Sequence, residues 1–398
     1  MSTNDPVVIL SAARTPIGGF QGDLASLTAP ELGGFAIRAA VERARIDAGA
    51  IQELLMGCVL PAGVGQAPTR QACLNAGLAE SVTCTTISKV CGSGMKAVML
   101  AHDSIAAGSN DVMVAGGMES MTNAPYLLPK ARKGYRLGHG QLLDHMFFDG
   151  LEDHYRNDTR GRLMGTFAED CAERYGFSRE AQDEWAILST QRAKAAIERG
   201  DFAWETTPVT IQGRTGEVTL QSDEQPPKAN LEKIRSLKPA FKKGGTVTPA
   251  NSSSISDGAA ALVLARESSA RRLGVQPLAR IVGHATHAQA PAEFTTAPVG
   301  AIQKLLGQAG WSTADVDLWE INEAFAVVTM AAIHDLRLDP ETVNLHGGAC
   351  ALGHPIGASG ARILVTLLGA LRKTAQKRGV ASLCIGGGEA TAVAVELL

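Results

Sequence analysis

The residues best suited to chemistry in this sequence lie at positions 88–97, around a single cysteine, Cys91. A glycine-serine-glycine turn follows Cys91, and a run of helix-forming residues then continues to about Ala107. A thiol attacks as its thiolate, and the N-terminus of a helix favours negative charge. The pattern therefore predicts a nucleophilic thiol with a lowered pKa at a helix start. The alternative is a small buried core residue, which is the commoner role of a lone cysteine.

Three further segments combine a reactive or polar side chain with small neighbours, and each is predicted to end a strand or begin a helix. They contain Asn322, His354 and Cys384, and a triple glycine follows Cys384 closely. Each has a plainer explanation when taken alone. Asn is a favoured N-cap, a histidine before proline suits a turn, and a cysteine can fill a strand. Together with Cys91, the three segments supply two thiols, an imidazole and an amide.

Alternating strands and helices are predicted to position these side chains in the first 120 residues. The predicted strands cover 7–13, 54–60, 83–88 and 111–115, and the helices between them cover 29–44, 69–76 and 95–107. Such alternation with short glycine-rich joints is typical of a parallel sheet covered by helices.

From about residue 120 to residue 244 the sequence becomes polar and irregular. It contains one strong predicted helix, with Ser178 as the expected N-cap and Gly200 after the expected end. A structureless loop of this length is implausible within a compact protein, so this segment is predicted to be an inserted domain.

A weak internal repeat relates the two sides of this insertion. Residues 357–362 resemble 91–96, each before an apolar helix, and residues 381–388 resemble the strand and glycines at 111–117. The repeat predicts two related α/β halves, with the active site where their strand ends meet. The expected domains are an N-terminal half with the nucleophile (1–119 and 245–272), the insertion (120–244) and a C-terminal half (273–398).

Composition limits the classes of function. The 398 residues are 45% hydrophobic and 19% charged, as expected for a soluble globular chain with two or three packed units. A net charge of −3 predicts no nucleic-acid or membrane partner, and no apolar run is long enough for a membrane span. The seven cysteines form no Cys-x-x-Cys pair, and no secretory or transit peptide is recognisable. We therefore expect free thiols in a cytoplasmic protein.

Taken jointly, the segments around Cys91, Asn322, His354 and Cys384 resemble the thiolases, the acetyl-CoA acetyltransferase group, in sequence and in order. The resemblance covers essentially the whole chain and is most specific over residues 348–362. It implies a duplicated α/β fold with five α-β-α-β-α layers and an inserted loop domain. It also implies an acyltransferase of fatty acid metabolism, which condenses two acyl-CoA molecules reversibly, most simply two acetyl-CoA, through an acyl-cysteine.

The resemblance assigns roles to the matching residues. Cys91 looks like the acyl-accepting nucleophile, and His354 like the base that activates it. Cys384 looks like the thiol that removes the α-proton of the incoming acetyl group, or returns one in reverse. One oxyanion hole would consist of His354 and a water held by Asn322, and the other of the backbone N–H groups of Cys91 and Gly386. This ping-pong chemistry needs no metal or redox cofactor, because coenzyme A is both substrate and product.

Further positions match residues that bind substrate in the family. Ser253 matches the serine beside the pantetheine arm, and Lys228 lies near a basic residue beside the adenosine. The positions at the acyl end are Leu151, Met164 and Phe325.

Two departures concern the choice of substrate. Leu163 stands where short-chain biosynthetic members usually carry histidine. Phe294 stands where those members often carry methionine, and it resembles the mitochondrial members that also accept 2-methyl-branched substrates. A preference for longer or branched 3-ketoacyl-CoA is therefore an alternative prediction. Glu389, where some relatives have methionine, has no clear meaning in the sequence.

A basic stretch within the insertion has three interpretations. No acidic residue lies between Glu119 and Asp144, and the stretch contains Lys130, Arg132, Lys133 and Arg136. It is a solvated loop, a cationic loop that attracts the phosphates of coenzyme A, or a contact in a homotetramer as in related enzymes. The family implies a homo-oligomer, either a dimer or a dimer of dimers.

Two competing functions remain within the superfamily. A carrier-protein-dependent condensing enzyme typically uses a Cys-His-His or Cys-His-Asn set, and the second thiol at Cys384 argues against it. A non-catalytic acyl-CoA or lipid-binding protein of this fold is expected to lack at least one of Cys91, His354 and Cys384. All three are present.

Overall fold

The computed structural model describes residues 5–213 and 216–398. Its strands are β1 (Val7–Arg14), β2 (Gly18–Gly19), β3 (Glu53–Gly57), β4 (Thr83–Ile87), β5 (Val112–Ser120), β6 (Tyr126–Leu127), β7 (Leu143–Asp144), β8 (Val209–Gly213), β9 (Gly216–Leu220), β10 (Ser256–Arg266), β11 (Ala279–Ala288), β12 (Leu318–Ile321), β13 (Arg378–Ile385) and β14 (Glu389–Leu397). Its α-helices are α1 (Ala29–Ala44), α2 (Pro68–Asn75), α3 (Ser93–Ala107), α4 (Met164–Tyr175), α5 (Arg179–Glu198), α6 (Gln225–Lys228), α7 (Leu231–Ile234), α8 (Glu267–Arg272), α9 (Ala297–Ala309), α10 (Ala326–Leu336), α11 (Ala349–Leu352) and α12 (Ile356–Thr374). Within these described ranges, no helix has both the length and the apolar character that a membrane crossing needs.

The main strands form two half-sheets with matching topology. The first has the order β4-β3-β5-β10-β1, and a brief pairing of β1 with β11 joins it to the second, β11-β14-β13-β12. Strand β3 is parallel to β4 and β5, and β12 is parallel to β13, whereas the other pairs are antiparallel. The half-sheets are thus mixed: the parallel pairing expected in the first 120 residues holds for β3, β4 and β5, but β1 pairs with β10 and β11 in antiparallel fashion. The tight turn between β13 and β14 leaves no room for a crossover, so those strands must be antiparallel.

Helices cover both half-sheets and also separate them. Helices α1 and α2 cover the outer face of the first half-sheet, and α9 and α10 cover the second. Helices α3 and α12 lie between the two half-sheets in a shared apolar core. This order gives the five α-β-α-β-α layers that the family resemblance implied, and that prediction is confirmed.

The two central helices touch closely because glycines face each other. A β-carbon on Gly94 of α3 would lie 2.9 Å from the carbonyl oxygen of Gly357 and 3.0 Å from the nitrogen of Ala361. A β-carbon on Gly360 of α12 would lie 2.5 Å from the nitrogen of Met95. Such distances exclude any side chain, so the backbones of α3 and α12 are in direct contact.

Strand pairing begins at matching positions in the two halves. Glu53, the first residue of β3, pairs with Met113 of β5, and Leu318, the first residue of β12, pairs with Gly379 of β13. Gly117 was expected in the turn after a short strand, but β5 continues past it. Its β-carbon would lie 2.0 Å from the carbonyl oxygen of Gly357, so this glycine permits the close approach of α12 rather than a turn.

The insertion lies outside both half-sheets and contains β6–β9 and α4–α7. Its long helix, α5, is the predicted one: the hydroxyl of Ser178 accepts a hydrogen bond from the helix N-terminus, and Gly200 follows the end. The insertion is fastened to β1 through Arg14, which is fully buried. The guanidinium of Arg14 donates to Glu205 at 2.5 Å and, through two nitrogens, to Asp223 at 2.7 and 2.9 Å.

Candidate active site

A cavity of about 350 Å³ brings together residues from the first half, the insertion and the second half. Its walls are predominantly apolar. All predicted site residues except Asn322 and Lys228 line it: Cys91, Leu151, Leu163, Met164, Ser253, Phe294, Phe325, His354, Cys384 and Gly386.

Cys91 lies in a sharp turn between β4 and α3, two residues before the helix begins. The residue before it, Val90, has a φ of +45°, which is rare for a β-branched residue. Ser93 holds this turn, because its hydroxyl donates to the carbonyl of Val90 at 2.7 Å and accepts from the N–H of Lys89 at 2.8 Å. The turn leaves the Cys91 side chain partly exposed and facing the cavity.

The predicted lowering of the Cys91 pKa was wrong. Burial among the apolar walls raises the pKa of Cys91 to about 11, although the backbone N–H groups of Gly386 and of Cys91 itself oppose the shift. Desolvation of the thiolate therefore outweighs the start of helix α3. At neutral pH the free thiol keeps its proton, and a base must remove it.

His354, the base predicted from the sequence, lines the same cavity as Cys91. The hydroxyl of Ser359 donates to the carbonyl of Pro355 at 2.9 Å, so its oxygen must accept from Nδ1–H of His354, 2.5 Å away. This arrangement leaves Nε2 without a proton, and within residues 5–213 and 216–398 no group hydrogen-bonds to it. Burial and the neighbouring Arg362 lower the pKa of His354 to about 3. The imidazole is therefore neutral and presents a free lone pair.

Asn322 lies behind His354 rather than on the cavity wall. Its Nδ2 is 3.5 Å from Nδ1 of His354, and its Oδ1 accepts from Arg362 at 3.4 Å. The next residue, Glu323, fixes this loop, because its carboxylate accepts from the indole N–H of Trp185 at 3.0 Å. The Asn322 amide is therefore turned toward His354 and Arg362, and Asn322 does not line the cavity.

Cys384 and Gly386 lie at the end of β13. Burial, and secondarily the nearby Cys91, raise the pKa of Cys384 well above its ordinary value. The next two glycines, Gly387 and Gly388, have φ values of +95° and +84°, so their conformation requires glycine. Gly386 differs, because a β-carbon there would meet Met164 only at an ordinary contact distance of 3.5 Å. The free protein thus has room for a side chain at Gly386.

Two family profiles match the chain. The profile described as "Thiolase, N-terminal domain" covers residues 7–268, and "Thiolase, C-terminal domain" covers residues 275–397. The chain belongs to the thiolase family.

Named relatives match this thiolase over nearly its full length. Acetyl-CoA acetyltransferase 2 from Arabidopsis thaliana is 53% identical, over 98% of this chain and 97% of the relative. Acetyl-CoA acetyltransferase B, mitochondrial, from Xenopus laevis is 52% identical, over 100% of this chain and 93% of the relative. The crystal structure of the Acat5 thiolase from Ascaris suum in complex with coenzyme A has a TM-score of 0.93 and 42% identity, over 99% of this chain and 100% of that chain. The fold and family expected from the sequence are confirmed.

Lys228, the other predicted residue outside the cavity, is exposed on the surface of this thiolase. It donates to Glu224 at 2.7 Å and lies 3.7 Å from Asp23. It lines a second cavity of about 250 Å³, which shares Pro249 and Ser254 with the first. Lys228 therefore lies beside a neighbouring cleft and not at the reacting groups.

Sequence reasoning missed Glu119, a fully buried carboxylate at the end of β5. It accepts hydrogen bonds from the backbone of Leu60 at 3.1 Å, of Val59 at 3.0 Å and of Gly357 at 2.9 Å. Burial raises the pKa of Glu119 to about 7. The carboxylate joins the two halves beside the cavity, and its partners are backbone groups, which no residue pattern reveals.

Sequence reasoning also left Glu389 unexplained. In the structure Glu389 forms an ion pair with Lys89. Lys89 lies two residues before Cys91, and Glu389 follows the glycine turn after Cys384. This ion pair therefore links the loop that carries Cys91 to the turn that follows Cys384.

The raised pKa of Cys91 predicts how its alkylation depends on pH. With a pKa of about 11, the rate with iodoacetamide should rise about tenfold per pH unit from pH 7 to pH 10, because only the thiolate reacts. Cys84 is an internal comparison, since the hydrogen bond from Cys73 lowers the pKa of Cys84 to about 7. Its alkylation should level off above about pH 8. Trypsin separates the two sites into peptides 71–89 and 90–96, which mass spectrometry quantifies. A Cys91 rate that is already constant above pH 6 would reveal a thiolate–imidazolium pair and contradict this assignment.

Proposed function

We propose that this thiolase is an acetyl-CoA acetyltransferase, which condenses two acetyl-CoA to acetoacetyl-CoA and coenzyme A and runs the cleavage in reverse. The observation that carries the proposal is the meeting of Cys91, Cys384 and the free Nε2 of His354 in one apolar cavity. The names of relatives with about half of their residues identical support the same activity.

In the first half-reaction, Nε2 of His354 takes the proton of Cys91 and the thiolate attacks the thioester carbonyl. Coenzyme A leaves as a thiol with the proton from His354, and the acetyl group remains on Cys91. The backbone N–H groups of Cys91 and Gly386 bind the oxyanion of the tetrahedral intermediate. The influence of the Gly386 N–H on the Cys91 sulfur supports this role, because the oxyanion forms beside that sulfur.

In the second half-reaction, the Cys384 thiol passes its proton to Nε2 of His354, and the thiolate then removes an α-proton from a second acetyl-CoA. The enolate oxygen is stabilised by His354 and by a water bound to Asn322, and the carbanion attacks the acetyl group on Cys91. The thiolate of Cys91 that leaves takes the proton back from His354, so all three groups return to their starting state. Thioester α-protons are weakly acidic, so a base with a raised pKa suits this transfer. The burial that raises the pKa of Cys384 supports its assignment as that base.

The proposal divides the work among three parts of the chain. The N-terminal half (1–119 and 245–272) carries the nucleophile, and the C-terminal half (273–398) carries the base and the second thiol. The insertion (120–244) binds coenzyme A and forms oligomer contacts. Its contribution of Leu151, Leu163 and Met164 to the cavity wall supports a role in binding the substrate. Ser253 and Lys228 are assigned to the pantetheine and adenosine ends.

We infer a cytoplasmic location. All seven cysteines are free in the structure, which fits a reducing compartment. The name of the Xenopus laevis relative places that protein in mitochondria. Cell fractionation with antibody detection tests the inference, and recovery of the protein in an organelle fraction would refute it.

Replacing the proposed nucleophile should abolish the covalent route. In Cys91→Ala we expect at least about a thousandfold loss of the coenzyme-A-dependent decay of the magnesium–acetoacetyl-CoA enolate absorbance. Cys84→Ala is the matched control, because this partly exposed cysteine does not line the cavity and should keep activity. Activity that survives in Cys91→Ala would refute the assignment. A wild type that binds acyl-CoA without turnover would favour a binding protein.

The apolar acyl end predicts tolerance for longer or branched acyl groups. Leu163 and Phe294 both lie on the cavity wall, where Leu163 removes a polar group that short-chain members usually carry. We expect kcat/KM to be measurable for 3-ketohexanoyl-CoA and 2-methylacetoacetyl-CoA as well as for acetoacetyl-CoA. Leu163→His should lower kcat/KM for 3-ketohexanoyl-CoA and 2-methylacetoacetyl-CoA, relative to that for acetoacetyl-CoA, by about tenfold or more. The reason is that one methylene group contributes ~1–3 kcal/mol in such a pocket. Leu74→His, an exposed position of α2 that does not line the cavity, is the control. A wild-type protein that cleaves only acetoacetyl-CoA would contradict the predicted tolerance for longer or branched acyl groups.

We also propose a homo-oligomer, with contacts through the basic stretch between β6 and β7. This stretch exposes large apolar side chains next to its lysines and arginines, and Leu137 is 98% exposed. Such exposure favours a contact between copies over a solvated loop. Leu137→Asp combined with Leu142→Asp should halve the mass in solution measured by light scattering, while acyl transfer persists. An unchanged mass would contradict this interface. A raised KM for coenzyme A in Lys130→Ala would point to the cationic-loop interpretation instead.

A further inference from the structure

We propose that His102, Asp103 and His284 form a binding site for a divalent transition metal, with zinc as the best fit, away from the catalytic cavity. His102 and Asp103 lie in α3, and His284 lies in β11. None of the three lines the cavity. Within the described part of the chain, this is the one group of three such side chains whose ligand atoms converge.

The ligand atoms already form a compact triangle. Nδ1 of His102 is 3.2 Å from Oδ1 of Asp103 and 3.2 Å from Nε2 of His284. Nε2 of His284 is 2.8 Å from the same Oδ1. Zinc binds imidazole nitrogen and carboxylate oxygen at about 2.0–2.2 Å, so tetrahedral ligands stand about 3.3 Å apart. The three atoms thus lie close to one face of a zinc tetrahedron, and small movements of the side chains give them the spacing that zinc requires.

Protons alone do not satisfy this triangle. A carboxylate oxygen only accepts, so each imidazole nitrogen must carry a proton to contact Asp103 favourably. Two N–H groups then face each other across the 3.2 Å between His102 and His284. If either imidazole nitrogen loses its proton, its lone pair faces the carboxylate oxygen of Asp103, and that contact becomes repulsive. A cation at the centre makes all three contacts favourable at once, because each atom then offers it a lone pair.

The site is open to solvent on one side. The histidine side chains are 20% and 17% exposed and that of Asp103 is 53% exposed. Solvent therefore reaches the fourth coordination position, where a water can bind.

The ligand types select the metal. Two imidazole nitrogens and one carboxylate oxygen suit zinc, and copper or nickel compete for such a set. Magnesium and calcium prefer oxygen ligands throughout, so they are poor occupants.

The position gives the metal a structural consequence. Helix α3 begins two residues after Cys91 and belongs to the first half, whereas β11 belongs to the second. Just beyond β11, the N–H of Gln289 donates to the carbonyl of Gly388, in the turn that follows Cys384. A bound ion therefore cross-links the helix of one thiol to the strand beneath the turn of the other, and it stabilises the folded chain by mass action.

Cobalt and zinc titrations of the chelator-treated full chain test this site. We expect one Co²⁺ per chain, with the visible absorbance of nitrogen and oxygen ligands and without the near-ultraviolet charge-transfer band of thiolates. Zn²⁺ should displace Co²⁺ and raise the melting temperature, whereas Mg²⁺ should do neither. His284→Asn and, separately, His102→Asn should weaken binding at least about a hundredfold, because even indirect partners of a metal typically contribute 10–100-fold.

The matched control is His334→Asn. His334 and Asp335 are also sequence neighbours in contact, with Nδ1 and Oδ1 2.8 Å apart, but within the described ranges no third ligand joins them. This variant should bind the metal as the wild type does. Acyl transfer and melting temperature without metal verify that each variant is folded. Equal affinity in wild type, His102→Asn and His284→Asn would overturn the proposal. So would a thiolate band that vanishes when Cys91 is alkylated, because the ion would then sit at the catalytic thiols.

Discussion

Direct backbone contact between α3 and α12 is the constraint on which the rest of the structure depends. Gly94 and Gly360 allow this contact, and a β-carbon on either would collide with the facing backbone. Cys91 precedes α3 by two residues, and His354 precedes α12 by two residues. The contact therefore sets the separation of Cys91 and His354, the proposed nucleophile and base, while the outer layers of helices hold the two half-sheets around it. Glu119 adds a polar link at the same place, because it binds the backbone of both halves.

Desolvation decides the protonation states in the cavity. It raises the pKa of both thiols and lowers that of His354, so the three groups are neutral at rest. Proton transfer between neutral groups separates charge only while the substrate carbonyl is present to accept negative charge. An apolar cavity thus keeps both thiols in their unreactive form in the free protein, and in the proposed mechanism the backbone N–H groups of Cys91 and Gly386 stabilise the oxyanion.

The reactive side chains were accessible from the sequence, because they leave a local signature, whereas the order of the five layers followed from the resemblance to the thiolases. Cys91, His354 and Cys384 stand out beside small residues, and α5 has an N-cap serine and a glycine after its end. What depends on distant neighbours was not accessible. The direction of the Cys91 pKa shift follows from walls supplied by all parts of the chain, and the length of β5 follows from its pairing with the distant strand β10 as far as Ser120.

The matching topology of the two half-sheets has a consequence for the history of the chain. Met113 of β5 and Gly379 of β13 pair with the first residues of β3 and β12, so Glu119 and Ile385, each six residues further, are equivalent. One copy of the duplicated strand thus ends in a carboxylate that binds the backbone near the start of α12, and the other ends in an apolar side chain beside Gly92, just before α3. An ancestral half that paired with itself would have presented the same group twice. Divergence after duplication allowed the two strand ends to take different roles at the two central helices.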